Sequence, residues 1–546
     1  MMPARWLTAL GWAALAIAWF GALGYRPLYR ADEARYAEIA REMVASGDWI
    51  TPRLNGYKYF EKPPLQYWAT AAAFEAAGAN ASTARLWTAL TGFAGVLATA
   101  LVAARLAGPA AGLCAAAILA SSLLYVGLGH FSSLDMGVTL FLSAAVFAMA
   151  LAQGDGAGPR ARRAWMLAAW AAAAAAVLSK GLIGVVLPAA ALTAYVVIQR
   201  DWALARRLEV IAGGAFFLAL AAPWFVAVAL ANGEFARFFF VHEHFERFLT
   251  QVHGRYEPVW YFGPVLLWGL APWTLAVLAA LPAAWRDAPA QSFRPQRFLL
   301  VWVAVVLAFF SVSGSKLPSY ILPALPALAV LGGAWLARTG DRLLGAQALL
   351  FGALGAAAAA LAPTLTARQA SADLPAALLA AYVPWLVAAG LALAAAGALA
   401  GALALRRRRL AAVAALACGG LAFGTLALTG HASLAPVYSA YDSLARIKSG
   451  IPDEAPFYFV ETFDHSVPFY LGRTVTMVGY QDELATAIGW EPQRFIPTVA
   501  AFVERWRTDP RAFAMLSPRE YATLAATGLP MTVLARDPRR VFVAKP

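Results

Sequence analysis

The feature that most constrains this 546-residue chain is a succession of long apolar runs. About thirteen of them could cross the roughly 30 Å hydrocarbon core of a bilayer. Charged residues make up 13% of the chain, about half the usual share in soluble domains. The sequence therefore predicts an all-α polytopic membrane bundle. The predicted spans lie near 6–24, 83–106, 109–128, 134–153, 164–179, 181–198, 207–231, 260–283, 298–314, 317–337, 343–362, 379–404 and 410–430.

The distribution of arginine predicts how the bundle is oriented. Cytoplasmic loops of membrane proteins are enriched in Lys and Arg. With a cytoplasmic N-terminus, every predicted inside loop contains arginine, while the short outside loops contain few cations. Those inside-loop residues are Arg105, Arg160, Arg162, Arg163, Arg200, Arg206, Arg207, Arg286, Arg294, Arg297, Arg338, Arg342 and Arg406 to Arg409. The net charge of +13 is then explained by topology, and we expect no nucleic-acid partner.

The chain divides into a predicted transmembrane domain, residues 1–430, and a C-terminal domain, residues 431–546, on the outer side of the membrane. β-rich runs separated by Pro, Gly and Asp predict a small α/β domain in the tail. The predicted strands are 457–461, 467–471, 474–478 and 541–544, with helices near 437–447 and 497–507. No phosphate-binding loop is present, which argues against an ATP-driven pump.

Two outside loops are long, near 25–82 and 232–259. Alternating apolar and charged residues over 32–43 predict an amphipathic helix on the membrane surface. The second loop contains closely spaced aromatic residues, which we expect to enter the lipid. They are Phe235, Phe238, Phe239, Phe240 and Phe245.

Charged residues concentrate at the outer ends of the predicted spans. The first loop contains Asp32, Glu33 and Glu61 together with lysines, and Asp135 begins the fourth span. Such charges are costly unless they face a cavity or a partner. Each one alone is better explained as an ion-paired or snorkelling anchor, but their clustering on one face weakens that explanation and favours a functional site.

The first loop resembles the bacterial lipid-linked-sugar glycosyltransferases of the GT-C class. The match is strongest to the 4-amino-4-deoxy-L-arabinose transferases that modify lipid A. The matching residues are Asp32 to Glu38, Gly47 to Trp49, Asn55-Gly56 and Tyr59 to Trp68. The resemblance implies transfer of a sugar from undecaprenyl phosphate to a lipid A phosphate at the periplasmic face of the inner membrane. It also implies a central role for Asp32.

We take Asp32, Asp135 and Glu33 as candidate catalytic acids. The leaving lipid phosphate gains negative charge, so cations and hydrogen-bond donors should surround it. The candidate substrate-binding residues are Tyr59, Lys62, Lys180, Arg247, Lys316, Tyr320, Arg35 and Lys58. Snorkelling at a span end explains Lys180 and Lys316 equally well.

The role predicted for Asp32 depends on the acceptor. A lipid A phosphate is already ionised, so Asp32 would orient the sugar, for instance by pairing with its amino group. A protein or glycan hydroxyl would instead use Asp32 as a general base. Glu61 and His242 are candidate ligands for a divalent metal such as zinc, which would bind the lipid phosphate.

Two other classes of function remain open from the sequence, a lipid transporter or flippase and a membrane scaffold. Transporters place functional charges at mid-bilayer, often in internal repeats, and we find neither pattern. A scaffold leaves the acidic first loop unexplained. We expect a monomer whose partners are the lipid-linked donor, lipid A and membrane lipids.

Overall fold

The computed structural model describes residues 5–246, 257–286 and 293–546, and it is mostly helical. Long apolar helices form the bundle. They are α1 (Arg5–Phe20), α4 (Ala81–Ala107), α5 (Pro109–Ser121), α6 (Leu123–Gly129), α7 (Leu134–Gln153), α8 (Pro159–Lys180), α9 (Ile183–Gln199), α10 (Val210–Ala231), α11 (Phe262–Gly269), α12 (Thr274–Arg286), α13 (Pro295–Val312), α14 (Leu325–Arg338), α15 (Asp341–Ala367), α16 (Ala376–Leu405) and α17 (Arg409–Gly430).

In this part of the chain eight helices are long and apolar enough to cross a membrane, or up to ten if each bent pair is one span. The bent pairs are α5 with α6, at 65°, and α11 with α12, at 110°. By helix length and composition alone, the described residues therefore contain fewer membrane-spanning helices than the thirteen predicted. Helices α1 and α9 have only 16 and 17 residues, and α8 has three arginines in its first turns.

The loop between α1 and α4 folds into α2 (Asp32–Ser46), α3 (Leu65–Ala77) and a hairpin of β1 (Arg53–Leu54) and β2 (Tyr57–Lys58). Asn55 and Gly56 form the hairpin turn with positive φ angles, as this dipeptide favours. The Asn55 amide donates to the Val475 carbonyl at 2.9 Å and accepts from the Val475 N–H at 2.8 Å. These two bonds fix the hairpin to the C-terminal region.

The expected surface helix over 32–43 is present as α2, but it is covered by protein. It packs against α3 and against α20 (Ser466–Leu471). Glu33, Ile39 and Ala40 are fully buried, so both apolar and charged positions face the interior. The alternation of apolar and charged residues over 32–43 is compatible with burial, because charged side chains on α2 have ionic partners inside the protein.

The C-terminal region forms a six-stranded mixed sheet in the order β5-β4-β3-β6-β8-β7. Its strands are β3 (Phe457–Val460), β4 (Thr476–Val478), β5 (Phe495–Ile496), β6 (Phe513–Leu516), β7 (Thr532–Arg536) and β8 (Val541–Ala544). Its other helices include α18 (Ala435–Tyr438), α19 (Tyr441–Ile447), α21 (Ala485–Trp490), α22 (Val499–Thr508) and α23 (Pro518–Ala526). Strands β3, β4, β5 and β6 are mutually parallel, while β8 is antiparallel to β6 and β7.

The predicted strand at 467–471 is wrong, because this segment is helix α20. It connects β3 to β4, which are parallel neighbours, and a parallel pair needs a crossover. Pro468 sits in its first turn, where proline suits a helix and would interrupt a central strand.

The two faces of β3 pack against different parts of the molecule. Phe457 and Phe459 pack in one core with Tyr36 and Tyr67 of the first loop. Tyr458 and Val460 point the opposite way, into a separate core that includes α22. This two-residue alternation follows from strand geometry. One face of the sheet is thereby joined to the first loop.

The aromatic residues of the second loop form an interior cluster, contrary to the expectation that they enter lipid. Phe235 and Phe239 are at most 1% exposed and pack with Phe60, Trp224 and Val228. Phe240 is 37% exposed, and the Phe245 side chain lies outside the described residues. The cluster fills the space between α10 and the first loop.

Two buried carboxyls lie one turn apart on α2. Glu38 is fully buried and accepts from Arg41 at 2.6 and 2.7 Å, while Glu42 accepts from the Gly56 N–H at 2.8 Å. Burial raises the pKa of both groups, and for Glu42 the nearby Glu38 charge raises the pKa further. The arrangement favours a protonated Glu42 beside an ionised Glu38.

We expect Glu42→Gln to flatten the pH dependence of stability. A carboxyl with a raised folded-state pKa stabilises the fold at low pH, and that stability is lost as pH rises through the folded pKa. As the pH rises above the ordinary range of a carboxyl group, wild type should therefore lose thermal stability more steeply than the variant. Thermal unfolding of the purified protein in detergent measures this, with Glu75→Gln, an exposed position, as control. Parallel pH profiles for wild type and Glu42→Gln would contradict the assignment.

Candidate active site

Asp32 and Glu33 begin α2 but have different surroundings. The Asp32 side chain is 45% exposed, and its Oδ1 accepts a hydrogen bond from Arg35 Nη1 at 3.2 Å. The Glu33 side chain is fully buried. Successive helical positions point about 100° apart, so one can face an open site and the other the interior. Of the two, only Asp32 is accessible to a substrate.

Glu33 is held by four groups that donate hydrogen bonds. They are the guanidinium of Arg26 at 2.6 Å, Arg85 Nε at 2.7 Å, and the backbone N–H groups of Tyr29 at 3.2 Å and Ser132 at 3.1 Å. Burial alone would raise the pKa of Glu33, but the charges of Arg26 and Arg85 outweigh it and lower the pKa to about 2. Its position indicates a structural role, and the catalytic role stays a prediction.

Asp135 lies in the first turn of α7 and forms an ion pair with Lys180 at the end of α8. The Lys180 ammonium also lies 4.9 Å from the centroid of the Tyr320 ring. Burial raises the pKa of Tyr36 on α2, and the negative charges of Asp32 and Asp135 raise it further. The two acids therefore lie near a common tyrosine, although 103 positions separate them in sequence.

Arg35 joins the first loop to the C-terminal domain. Its guanidinium pairs with Asp32 and, at 2.8 Å, with Glu483. Glu483 also pairs with His465. The Tyr59 hydroxyl is buried beside this group and has no hydrogen-bond partner among the described residues. A buried hydroxyl without a partner leaves a hydrogen bond unmade, so Tyr59 stays a candidate donor to a ligand.

The predicted lysines have carboxylate or carbonyl partners. Lys62 Nζ donates to the Glu61 carbonyl at 2.7 Å and to Glu243 at 2.9 Å. Lys58 pairs with Glu234. Lys316 donates to the carbonyls of Glu257 and Ser313, both at 2.8 Å. Ion pairs of Lys58 and Lys62 thus connect the first loop to the second, and predicted Arg247 lies outside the described residues.

The predicted metal pair of Glu61 and His242 is not supported. Within residues 5–246, 257–286 and 293–546, no group of three or more His, Cys, Asp or Glu is arranged to hold a metal ion. Burial raises the pKa of Glu61, and the His242 ring stacks on Phe238 at 5.2 Å. The donor set described does not fit a metal.

Several residues of this site have no local signal in the sequence. Glu483 and His465 come from the C-terminal domain, and Glu243 and Glu234 come from the second loop. They become neighbours of the first loop only through tertiary packing. The first-loop partners in these ion pairs, by contrast, are indicated by the sequence, because charged residues are closely spaced in that loop.

Comparison with known proteins identifies the family. Residues 11–244 match the family described as dolichyl-phosphate-mannose-protein mannosyltransferase, and residues 444–545 match the aminoarabinose transferase C-terminal domain. The crystal structure of ArnT from Cupriavidus metallidurans bound to undecaprenyl phosphate matches with a TM-score of 0.95 and 38% identity. That match covers 100% of this chain and 99% of the other.

Similar proteins of other bacteria are also named as 4-amino-4-deoxy-L-arabinose transferases. The undecaprenyl phosphate-alpha-4-amino-4-deoxy-L-arabinose arabinosyl transferase of Aeromonas salmonicida is 37% identical over 316 residues, 57% of this chain and 56% of the relative. That of Erwinia tasmaniensis is 33% identical over 345 residues, 62% and 61% of the two chains. These alignments span less than two thirds of the curated relatives. The full-length structural match nevertheless shows that the chain belongs to the aminoarabinose transferase family of membrane glycosyltransferases, which confirms the resemblance of the first loop.

We expect Glu33→Gln to destabilise the fold by about 3–5 kcal/mol, because it leaves two buried arginines without their carboxylate. The measurement is thermal unfolding and monodispersity in detergent, with Glu75→Gln as the control. A variant that folds with wild-type stability and has lost only sugar transfer would restore the catalytic role predicted for Glu33.

We expect Glu483→Gln to reduce sugar transfer by roughly tenfold, since a charged hydrogen bond that fixes Arg35 is worth about 1.5–3 kcal/mol. The steady-state rate should fall while stability changes little, because the pair is partly exposed. Glu504→Gln, an exposed carboxylate on α22, is the matched control. Equal rates for the two variants would show that the C-terminal domain does not position Arg35.

Proposed function

We propose that this protein transfers 4-amino-4-deoxy-L-arabinose from undecaprenyl phosphate to a phosphate of lipid A, at the periplasmic face of the inner membrane. The proposal rests on the match, over the whole chain, to a transferase crystallised with undecaprenyl phosphate. The match of residues 444–545 to the aminoarabinose transferase C-terminal domain supports the same sugar.

The reaction exchanges one phosphate for another at the anomeric carbon. An oxygen of the lipid A phosphate forms the new bond, and the bond to the undecaprenyl phosphate oxygen breaks with its electron pair. The attacking oxygen is ionised near neutral pH, so no proton has to be removed. The departing lipid phosphate gains negative charge, which fixed cations stabilise in a site of low dielectric.

Three cations meet that requirement in this proposal. Lys62, Lys180 and Arg35 come from the first loop and from α8, and each is paired with a carboxylate. Arg35 can present two parallel N–H groups to a phosphate, whereas each lysine acts as a point charge. The Tyr59 hydroxyl adds a neutral donor. The proposed set of substrate-binding residues also includes Arg247, Lys316, Tyr320 and Lys58.

Asp32 orients the sugar in this proposal. Its side chain is nearly half exposed and accepts from Arg35 at 3.2 Å, which leaves oxygen lone pairs for a cationic amino group. Asp135, paired with Lys180, holds that cation at the end of α8. Neither role involves proton transfer, so we expect a shallow acidic limb in the pH–rate profile.

The fold supports thirteen crossings if α1, α8 and α9 span the membrane alongside the longer helices and the bent pairs count once each. Residues 1–430 then form the transmembrane domain. The N-terminus is cytoplasmic and residues 431–546 are periplasmic, because the arginine-rich ends of the helices mark the inner side. We propose that one chain is sufficient for activity, since both halves of the site come from it.

A second candidate is transfer of a polyprenyl-linked sugar to a protein or glycan hydroxyl. The match of residues 11–244 to the protein mannosyltransferase family favours it. A hydroxyl acceptor must lose a proton, and Asp32 would then be the general base. The two candidates differ in the product, which is modified lipid A in one and modified protein or glycan in the other.

The test compares wild type with Asp32→Asn in cells that lack an endogenous aminoarabinose transferase. We expect wild type to add an aminopentose to lipid A, and we expect the variant to lose at least about a hundredfold in rate, as removal of an oriented polar group at a reacting centre does. Lipid A mass spectrometry gives the product, and immunoblotting confirms equal expression. Glu75→Gln is the control.

Each outcome separates the candidates. Unmodified lipid A with wild-type enzyme would refute the lipid A acceptor and direct the assay to protein and glycan hydroxyls. Full activity in Asp32→Asn would keep the function and remove Asp32 from the site.

A further inference from the structure

A cavity with several charged lining residues lies at the opposite ends of the helices from the candidate active site. On α7, Asp135 belongs to the active site, whereas Ala150 and Leu151 line this cavity. Fifteen residues of α-helix extend over about 22 Å, so the cavity lies toward the other surface of the membrane. Its volume is about 620 Å³, within the range of sites for small molecules.

The lining of this basal cavity is positively charged. Its charged residues are Arg105 at the end of α4, Arg294 before α13, Arg338 at the end of α14, and Asp155 after α7. Three guanidinium groups against one carboxylate give an excess of two positive charges. Gln296 contributes an amide, and the short side chains of the 154–157 turn keep one wall open.

One of these arginines lies over an aromatic ring. The Arg105 guanidinium carbon lies 5.2 Å from the centroid of the Trp165 ring. A guanidinium that stacks on an aromatic face keeps its N–H donors in the plane of the group, where they can bind a phosphate in a two-pronged fashion. Trp165 also has the amphipathic ring that favours the headgroup level of a bilayer.

Topology alone does not explain this arrangement. Cytoplasmic loops need arginine, and single exposed positions satisfy that requirement, as Arg160 and Arg163 do at the start of α8. Arg105, Arg294 and Arg338 differ from these because they come from three different helix ends and line one half-open cavity. Basic pockets between transmembrane helices on the cytoplasmic side are typical sites for anionic lipid headgroups.

We propose that the basal cavity binds a phosphate-bearing headgroup of an anionic membrane phospholipid. The site is separate from the active site and does not depend on the proposed reaction. The phosphate would lie among the three guanidinium groups, and the acyl chains would follow the apolar wall of Leu106 and Leu151 into the bilayer.

The test uses the purified full-length protein, delipidated in a neutral detergent, with thermal unfolding and native mass spectrometry. We compare wild type, Arg294→Gln with Arg338→Gln, and the control Arg160→Gln with Arg163→Gln, which removes the same charge outside the cavity. The probes are cardiolipin, phosphatidylcholine and inorganic phosphate. We expect cardiolipin to bind and stabilise wild type and the control, and to bind the cavity variant at least about tenfold more weakly.

The outcomes decide between a lipid site and alternatives. Equal cardiolipin binding by all three proteins would overturn the proposal, and so would equal stabilisation by phosphatidylcholine. Stabilisation of wild type by inorganic phosphate as strong as that by cardiolipin would replace the lipid by free phosphate. If the double variant does not fold, Arg105→Gln and Arg294→Gln are measured singly. Each should weaken cardiolipin binding about three- to tenfold, and unchanged binding in both would equally overturn the proposal.

Discussion

The buried contact of Glu33 with Arg26 and Arg85 is the interaction on which the candidate site depends. Arg26 follows α1, Arg85 belongs to α4, and Glu33 is in the first turn of α2. One carboxylate therefore fixes three chain segments at the place where the first loop leaves the bundle. Because these charges are buried, each group is destabilising without its partners. The contact holds the start of α2 and, with it, the adjacent Asp32 in one position relative to the bundle.

The C-terminal domain is part of the site through the face of its sheet. Phe459 and Met477 pack in the core that contains the first-loop tyrosines, so the domain and the loop share one hydrophobic interior. This packing sets the position of Glu483 opposite Arg35. The first loop is thus held on one side by a buried ionic contact and on the other side by a face of the sheet, which restricts its motion. Under the proposed function, this restriction keeps the phosphate-binding side chains in position.

The helical class of the fold followed from the lengths of the apolar runs, and the first-loop members of the candidate site followed from a dense local motif. The ion-pair partners of those residues did not follow from the sequence. The length of an apolar run predicts a transmembrane helix directly, because the thickness of the hydrocarbon core sets the number of residues needed to cross it. By contrast, α20 was predicted as a strand because β-rich composition resembles a buried helix over a short segment. Glu33 and Asp32 are adjacent and equally acidic in sequence. Burial separates their surroundings, and the burial of the Glu33 carboxylate depends on Arg85, 52 positions away.

Charge pairing in the site has a consequence for how an anionic lipid can bind. Arg35, Lys62 and Lys180 each face a carboxylate. An arriving phosphate must therefore share each cation or displace its carboxylate, and either step costs part of the attraction between opposite charges. The carboxylates, however, hold the cations in position before the lipid arrives. They also reduce the repulsion among the cations in the free protein. Under the proposed function the site must bind a charged lipid and later release it. Cations with balanced charge suit both steps, because their affinity for the phosphate is moderated while their positions are kept.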